Sequence, residues 1–320
     1  SLYAFRDPNG IRPLVLGKLP NDAGWCVASE TCAFDILGAE FVREVEPGEV
    51  LRINAEGLVS ERAVAPRKKA LCIFEHVYFA RPDSVMDGAT VQSMRVKMGE
   101  QLARESAVEA DLVIGVPDSG LPGAEGFSRA SGIPCRTGFV KNRYVGRTFI
   151  QPTQEMRELG VRLKLNPLRE TIEGKRVVVV DDSIVRGTTS KQIVRMLREA
   201  GATEVHMRIV SPEVKWPCFY GIDTDTQDQL ISARKTPEEV CEWIGADSLA
   251  FLSVEGLLSC VPEGGYCCSC FDGAYPVEIP AVFSQGKFLD GYTPNNLTKA
   301  SANSHRSVSD VAREIEKEYE

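Results

Sequence analysis

The stretch that decides the fold is RVVVVDDSIVRGTTS, residues 176–190. Its run of valines is typical of a strand that is buried on both faces of a parallel sheet. Two carboxylates end this strand, and a short loop with one glycine follows. Residues 191–200 then have the apolar spacing of a helix, and Gly201 ends it in the usual C-terminal position. The stretch therefore predicts a buried strand, a polar loop and a helix in direct succession.

The neighbouring segments repeat this alternation. Residues 94–107 and 122–129 have helical spacing of apolar side chains, whereas 112–116 and 205–210 are short apolar runs that favour buried strands. Strand, helix and strand in this order predict right-handed βαβ units. The predicted fold class is therefore α/β, with a parallel sheet and flanking helices.

The two ends of the chain differ from this central part. The first 65 residues read as β-rich, with strands predicted over 12–17 and 25–29 and a hairpin over 49–60. The tail after residue 280 is polar and rich in turn-forming residues, and a capping box at 307–310 predicts a peripheral amphipathic helix there. The predicted division of the chain is 1–65, 66–280 and 281–320.

Composition argues against several classes of function. The 320 residues are 43% hydrophobic and 26% charged, which are ordinary values for a globular protein. Asp and Glu number 45 against 37 Lys and Arg, so the net charge of −8 disfavours binding to nucleic-acid backbones. No apolar run approaches the ~18 residues that suggest a membrane span. The three histidines make a His base or a His-rich metal site a poor expectation.

The ten cysteines are expected to be reduced thiols. Disulfide frameworks belong mainly to small secreted domains, whereas this chain is large and its first residues lack the apolar segment of a signal peptide. The expected compartment is the cytoplasm. Cys26, Cys135 and Cys241 have apolar neighbours and are expected to be small buried side chains.

The residues after the valine strand suit a sugar phosphate. Ligands of open α/β sheets bind at the carboxyl ends of strands, and a helix N-terminus presents unpaired N–H groups to a phosphate. Gly187 lets the backbone approach the phosphate, and the hydroxyls at 188–190 add donors. Asp181 and Asp182 repel phosphate and instead suit ribose hydroxyls or a bridging metal. Phosphoacceptor domains also place two acids after a strand, but they do not need the hydroxyl-rich loop.

This stretch resembles the phosphoribosyl pyrophosphate motif of type I phosphoribosyltransferases. Three further segments resemble amidophosphoribosyltransferases, the glutamine-dependent enzymes that open de novo purine synthesis: RDPNGIRPL at 6–14, CIFEHVYFARPDS at 72–84 and KNRYVGRTFI at 141–150. The resemblance covers roughly residues 1–280. It implies a type I phosphoribosyltransferase fold preceded by the C-terminal part of an N-terminal-nucleophile glutaminase, which is an α+β sandwich.

The resemblance also implies a reaction and a set of site residues. An amine attacks the anomeric carbon of phosphoribosyl pyrophosphate, pyrophosphate leaves, and 5-phosphoribosylamine forms through an oxocarbenium-like transition state that depends on electrostatic stabilisation. The implied catalytic residues are Asp181, Asp182, Lys141, Arg143 and Arg147. The implied substrate-binding residues are Asp118, Ser119 and Gly120 for pyrophosphate, and Ser183, Arg186, Gly187, Thr188, Thr189 and Ser190 around the phosphoribosyl group.

Two cofactors are implied in the same way. Mg²⁺ is expected on Ser119, Asp181 and Asp182. A structural [4Fe–4S] cluster is expected on Cys72, Cys218, Cys267 and Cys270. Of these cysteines, only the CxxC pair has cluster or zinc spacing in its own right. Cys268 could compete as a ligand, and zinc or a fortuitous group of thiols are the alternatives to a cluster.

The sequence departs from the family pattern in one respect. Residues 1–65 match the interior of the glutaminase domain, so they are expected to be its closing part, and the cysteine nucleophile and oxyanion donors are absent from this chain. The expected partners are phosphoribosyl pyrophosphate, ammonia or glutamine, and purine nucleotides as feedback inhibitors, in a homo-oligomer. The alternative is a nucleotide-binding regulator that uses the same fold without catalysis.

Overall fold

A computed structural model describes residues 1–142, 165–222, 224 and 226–280. The predicted helix in the tail, together with Arg143 and Arg147, lies outside the described residues. Among the residues that the structure does describe, no helix combines the length and the apolar character needed to cross a membrane.

The strands of the described chain form one central parallel sheet and several smaller sheets. They are β1 (Leu2–Phe5), β2 (Val15–Lys18), β3 (Trp25–Ala28), β4 (Glu40–Glu44), β5 (Glu49–Asn54), β6 (Gly57–Arg62), β7 (Leu71–Cys72), β8 (Val85–Met86), β9 (Ala89–Thr90), β10 (Leu112–Gly115), β11 (Phe139–Lys141), β12 (Leu165–Pro167), β13 (Arg176–Asp181), β14 (Glu204–Ile209), β15 (Ser248–Phe251) and β16 (Tyr266–Cys267).

The helices pack mainly around the central sheet. They are α1 (Cys32–Leu37), α2 (Val91–Glu105), α3 (Gly120–Ser131), α4 (Arg169–Ile172), α5 (Thr188–Glu199), α6 (Pro237–Ile244), α7 (Val254–Ser259) and α8 (Ser269–Asp272), with a π-helical turn at Glu75–Phe79.

The central sheet has the order β10–β13–β14–β15, and every neighbouring pair is parallel. The valines of β13 are fully buried and alternate between the two faces. Val178 and Val180 pack in the core that α2 and α3 cover, whereas Val177 and Val179 pack in the core that α5 and α6 cover. This alternation explains why positions 177–180 of the strand are all apolar, and the parallel sheet with flanking helices confirms the predicted α/β class.

The N-terminal residues form two three-stranded antiparallel sheets, β1–β5–β6 and β3–β2–β4. The predicted hairpin is confirmed, since β5 pairs with β6 across a turn after Asn54. This unit docks on the segment before α2. The Glu30 carboxylate accepts hydrogen bonds from the Arg81 amide at 2.6 Å and from the Ser84 hydroxyl at 2.8 Å.

Two local predictions need correction. The strand predicted over 12–17 begins only at Val15, because Arg12 turns away to bond Glu75 and the carbonyl of Tyr220. The expected burial of three cysteines is wrong for Cys135, which is exposed at a single bridge beside β10, while Cys26 and Cys241 are half-buried.

The helix predicted over residues 94–107 is confirmed with shifted bounds, whereas five helices were not predicted: α1, α4, α6, α7 and α8. α2 starts at Val91, where the Thr90 hydroxyl caps it. Among the unpredicted helices, α6 begins with a complete capping box formed by Thr236 and Glu239. This capping box was therefore a sequence signal that could have predicted α6.

Candidate functional site

The carboxyl ends of β10 and β13 lie side by side, because these strands are parallel neighbours with Gly115 opposite Val180. The Val116 N–H extends the pairing by donating to the Val180 carbonyl at 2.9 Å. The loops that lead into α3 and α5 therefore begin at the same edge of the sheet. This edge is the place where ligands of open α/β sheets bind.

Glycine at position 120 lets α3 begin very close to β13. A Cβ atom on Gly120 would lie 2.4 Å from the Val180 carbonyl oxygen, a distance that real Cβ contacts do not reach. The close approach places Ser119, the residue before the helix, next to the end of β13.

The structure brings together Ser119, Asp181, Asp182 and Ser183, which are all residues that the resemblance implied for the site. The Ser119 hydroxyl donates to Oδ1 of Asp182 at 2.5 Å, and the Ser183 hydroxyl donates to Oδ2 of the same carboxylate at 2.5 Å. The Asp182 amide donates to Oδ1 of Asp181 at 2.9 Å. Both oxygens of Asp182 are thus held in place, which fixes the direction in which the pair presents its charge.

The two carboxylates are buried, at 6% exposure for Asp181 and 8% for Asp182. Burial raises the pKa of Asp181 well above its ordinary value, and the neighbouring charge of Asp182 raises it further. A cation, or hydroxyl groups that donate hydrogen bonds, would favour the ionised pair. The pair and the Ser119 hydroxyl are hard oxygen donors that fit Mg²⁺, with substrate and water oxygens completing its coordination.

A buried arginine that the sequence analysis missed lies behind the acid pair. Arg95 of α2 is only 2% exposed, and its guanidinium donates to the carbonyls of His76 and Ala80 at 2.8 Å each. Burial lowers the pKa of Arg95, and the negative charge of Asp182 opposes this effect. Its position beside Met94, in the apolar stripe of the predicted helix, is the sequence signal that could have found it.

The residues predicted to bind the phosphate lie at the start of α5. Gly187 adopts a left-handed φ of +76° and directly precedes Thr188, the first residue of the helix. The hydroxyl residues 188–190 therefore form the first helical turn, whose N–H groups have no partners within the helix. Arg186 lies exposed beside them, while Ser190 is buried. This arrangement can bind a phosphate through backbone N–H groups, hydroxyls and the helix dipole.

Gly187 is also tightly enclosed. A Cβ atom there would lie 2.7 Å from the ring of Trp243 and 2.9 Å from Ile231. The same indole ring lies 4.6 Å from the Lys191 ammonium, measured to the ring centroid. Trp243 of α6 therefore packs against the phosphate loop, and no local sequence pattern could have predicted this contact.

The predicted pyrophosphate loop follows β10. Asp118 is exposed and pairs with the Lys141 ammonium at the end of β11. The Pro117–Asp118 peptide is cis. The structure thus brings Lys141 to this edge of the sheet, while Arg143 and Arg147 lie outside the described residues and their roles stay predictions.

The four predicted cluster cysteines come together, since the thiols of Cys72, Cys218 and Cys267 all lie close enough to Cys270 to influence its ionisation. Cys72 and Cys267 are opposite each other in the parallel pair β7–β16. The Cys270 carbonyl accepts hydrogen bonds from the amides of Lys215 and Trp216, which join it to the segment that carries Cys218. All four thiols are buried, and so is that of Cys268. Tertiary structure therefore unites residues that lie far apart in the sequence.

Burial disfavours the ionised thiolate form of these cysteines. It raises the pKa of Cys72 to about 12, although the positive charge of Arg12 lowers it in part. Burial also raises the pKa of Cys267 and, more strongly, that of Cys270, and the nearby thiols raise the latter further. Thiolates in such a place need a bound cation, so the donor set fits an iron–sulfur cluster.

No group of three or more His, Cys, Asp or Glu side chains within the described ranges is arranged to hold a single metal ion. A four-iron cluster spaces its sulfur ligands more widely than a single ion does, and Mg²⁺ takes ligands from its substrate. Both predicted cofactors are therefore compatible with the arrangement of these side chains, and neither is tested by it.

Known proteins are similar to this chain both in the domain that carries this edge of the sheet and over most of its length. Residues 97–211 match the family model for the phosphoribosyl transferase domain. Curated proteins named amidophosphoribosyltransferase are similar to this chain. The one from Synechocystis sp. is 58% identical over 291 residues, which are 90% of this chain and 59% of that protein. The one from Bacillus subtilis is 58% identical over 279 residues, with 85% of this chain and 58% of that protein covered.

Two solved structures are also similar. Glutamine phosphoribosylpyrophosphate amidotransferase from B. subtilis, complexed with ADP and GMP, has a TM-score of 0.80 at 56% identity and covers 87% of this chain and 62% of its own. A structure described as the allosteric regulatory enzyme of purine biosynthesis has a TM-score of 0.80 at 55% identity, over 87% of this chain and 61% of its own. This chain spans about three fifths of the length of the relatives it matches.

Proposed function

Since this chain is a homologue of amidophosphoribosyltransferases and contains a phosphoribosyl transferase domain, we propose that it transfers ammonia to phosphoribosyl pyrophosphate. The products are 5-phosphoribosylamine and pyrophosphate, and in the full-length protein glutamine supplies the ammonia. This is the first step of de novo purine synthesis.

The observation that carries the proposal is the junction of two loops at one edge of the sheet. Asp182, held by the Ser119 hydroxyl from the β10 loop, lies a few residues before the N-terminus of α5. A sugar ring placed between these features would direct its hydroxyls to the carboxylates and its 5′-phosphate to the helix. Phosphoribosyl pyrophosphate carries both ribose hydroxyls and a 5′-phosphate, whereas a nucleobase carries neither.

The acid pair has the task of holding the ribose while its ring gains positive charge. Asp181 and Asp182 accept hydrogen bonds from the ribose hydroxyls, and their negative charges stabilise an oxocarbenium-like ring electrostatically. The buried position strengthens this effect, because solvent screens the interaction poorly there. The hydroxyls of Ser119 and Ser183 keep Asp182 oriented before substrate arrives.

The departing pyrophosphate needs compensation for its developing charge. Lys141 lies at this edge beside the predicted pyrophosphate loop, and Arg143 and Arg147 are proposed to join it. Bound Mg²⁺, held by Ser119, Asp181 and Asp182, would neutralise part of the pyrophosphate charge. Asp118 pairs with Lys141, so this ion pair would have to open for the ammonium to bind pyrophosphate.

The cysteine site is proposed to hold a structural [4Fe–4S] cluster. Its position supports a structural role, because Cys72 precedes α2 whereas Cys267 and Cys270 lie near residue 280, and a cluster would tie these segments together. Reduced thiolates persist in the cytoplasm, which is the compartment we propose. Purine nucleotides are proposed as feedback inhibitors, and a homo-oligomer is proposed as the assembly.

The test is pyrophosphate release from phosphoribosyl pyrophosphate by the purified chain in the presence of Mg²⁺. Ammonium chloride is compared with potassium chloride at equal ionic strength, so that only the nitrogen donor differs. We expect release that depends on ammonium and increases at alkaline pH, where more of the donor is neutral ammonia. The regulator alternative is not favoured by the named relatives; it predicts binding of phosphoribosyl pyrophosphate without release, and that result would overturn the proposal.

A further inference from the structure

Through the consecutive residues Ile11 and Arg12, the loop before β2 bonds the Cys72 amide and the segment that carries Cys218. We propose that Arg12 is a positioning residue for the cysteine site, through which the N-terminal unit holds the Cys72 and Cys218 segments in place. The inference rests on the proposed function only in that the cysteines are taken as cluster ligands.

The contact with the Cys218 segment is a hydrogen bond between side chain and backbone. Nε of Arg12 donates to the Tyr220 carbonyl at 2.9 Å. The amide of Tyr220 in turn donates to the Cys218 sulfur at 3.3 Å. Arg12 therefore fixes the peptide turn that directs an N–H group at the ligand sulfur, an interaction that orients metal-bound thiolates.

The contact with the Cys72 segment comes from the preceding residue. The Ile11 carbonyl accepts a hydrogen bond from the Cys72 amide at 2.9 Å. Ile11 itself is buried in the core that also contains Cys72 and Cys270. One short loop thus fixes ligand segments that enter the site from two distant parts of the sequence.

The positive charge of Arg12 also supports the cysteine site. Its guanidinium pairs with Glu75 at 2.7 Å and lies 5.7 Å from the centroid of the Phe79 ring. Glu75 is three residues beyond Cys72, so a fixed cation is held beside that ligand. A cluster bound by four thiolates is anionic, and a neighbouring cation stabilises it.

A simpler role for Arg12 is that it only neutralises the buried carboxylate of Glu75. The two roles are separable with Arg12→Met, Glu75→Gln and the double variant. If Arg12 serves Glu75 alone, the double variant behaves like Glu75→Gln. If Arg12 positions the ligand segments, the double variant keeps the defect of Arg12→Met.

A matched control is available in the same unit. Arg43 forms an ion pair with the buried Glu49 and has no contact with the cysteine site among the described residues. The variant Arg43→Met therefore removes an arginine of similar exposure and similar pairing. It reports general loosening of the N-terminal sheets.

Two measurements on the whole chain test the proposal. The first is amide hydrogen exchange of residues 218–222 in the metal-free protein, where we expect exchange about 10-fold faster in Arg12→Met and in the double variant. The second is the anaerobic rate at which a strong chelator removes iron from the reconstituted protein, where we expect a rise of about 5-fold in the same two variants.

We expect Glu75→Gln and Arg43→Met to remain near the parent in both readouts. Unchanged exchange in Arg12→Met, or a double variant that exchanges like Glu75→Gln, would overturn the proposal. A parent chain that takes up no iron would contradict the cluster, whereas the exchange measurement on the metal-free protein would still decide the role of Arg12.

Discussion

The Ser119 hydroxyl donates a hydrogen bond of 2.5 Å to Oδ1 of Asp182, across 63 residues of sequence. The bond joins the loop after β10 to the loop after β13, and so connects the predicted pyrophosphate loop to the predicted ribose-binding acids. It exists because the two strands are parallel neighbours and because Gly120 allows α3 to start close to β13.

Removal of this hydroxyl should weaken turnover without weakening the fold. In Ser119→Ala, Asp182 retains the Ser183 hydroxyl but loses the donor that aligns its other oxygen. We expect kcat/KM for phosphoribosyl pyrophosphate to fall about 5-fold, which corresponds to about 1 kcal/mol. The control is Ser259→Ala, whose hydroxyl bonds the Gly256 carbonyl away from this edge. A Ser119→Ala enzyme as active as the control would contradict the proposed role of this bond.

Gly187 should be essential for the shape of the phosphate loop. Alanine at this position meets a left-handed φ of +76°, which costs about 1–2 kcal/mol, and also clashes with Trp243 and Ile231. The matched control is Gly132→Ala, because Gly132 has the same φ of +76° and nothing within 4 Å of a Cβ atom. We expect chemical denaturation to show Gly187→Ala less stable than Gly132→Ala by about 1–3 kcal/mol.

The same pair of variants tests the binding role of the loop. We expect Gly187→Ala to raise KM for phosphoribosyl pyrophosphate several-fold, since the first turn of α5 has to shift. Gly132, at the C-terminal end of α3, is remote from this turn. Equal stability and equal KM in the two variants would show that the enclosure of Gly187 has no consequence.

The chain purified without oxygen should be brown and carry about four irons per chain. Serine at position 72, 218, 267 or 270 should lower the iron content sharply and destabilise the fold. Cys260→Ser is the control, because Cys260 is a buried thiol that bonds the Gly256 carbonyl. Cys268→Ser should retain iron if Cys268 is not a ligand. Colourless protein with stoichiometric zinc would contradict the cluster.

His76 should make the fold sensitive to moderate acid. Its ring is fully buried, and neither ring nitrogen has a hydrogen-bond partner among the described residues. Burial lowers its pKa from 6.5 to about 4. The unfolded chain therefore takes up a proton at higher pH than the folded chain does. The stability that His76 contributes is present above pH 6.5 and is lost as pH falls to 4, by roughly 3 kcal/mol.

The measurement is the free energy of unfolding from urea titrations between pH 7.5 and pH 4. His76→Phe keeps an aromatic ring against Tyr266 but removes the titrating group. We expect the variant to lose less stability than the parent over this interval. Identical pH dependence of the two proteins would show that other groups control the acid response.

The sequence predicted the elements whose signals are local. The buried strand β13 follows from its unbroken run of valines, and the phosphate loop follows from one glycine and three hydroxyl residues. Contacts between residues that lie far apart in the chain could not be predicted from the sequence. The Ser119–Asp182 bond, the place of Arg95 behind the acids and the pairing of Arg12 with Glu75 all depend on how separate segments pack.

The cysteine site likewise combines residues with a local sequence signal and residues without one. The CxxC spacing of Cys267 and Cys270 is a local signal, whereas Cys72 and Cys218 came only from the resemblance to a family. The structure explains why spacing was insufficient. Cys72 reaches the site through the pairing of β7 with β16, and Cys218 reaches it through backbone bonds between residues 215–216 and Cys270.

The most direct measurement is ammonia-dependent turnover in a chain whose acid pair is neutralised one residue at a time. Asp181→Asn and Asp182→Asn preserve shape and remove charge from the ribose and magnesium site. Asp111→Asn is the control, because Asp111 pairs with Arg176 at the opposite end of the same strands. We expect kcat/KM to fall at least ~10-fold in each acid-pair variant, or ~1.4 kcal/mol of transition-state stabilisation, and to stay near the parent in the control. Activity within about twofold of the parent in both acid-pair variants would contradict the assignment of this edge as the site of phosphoribosyl transfer.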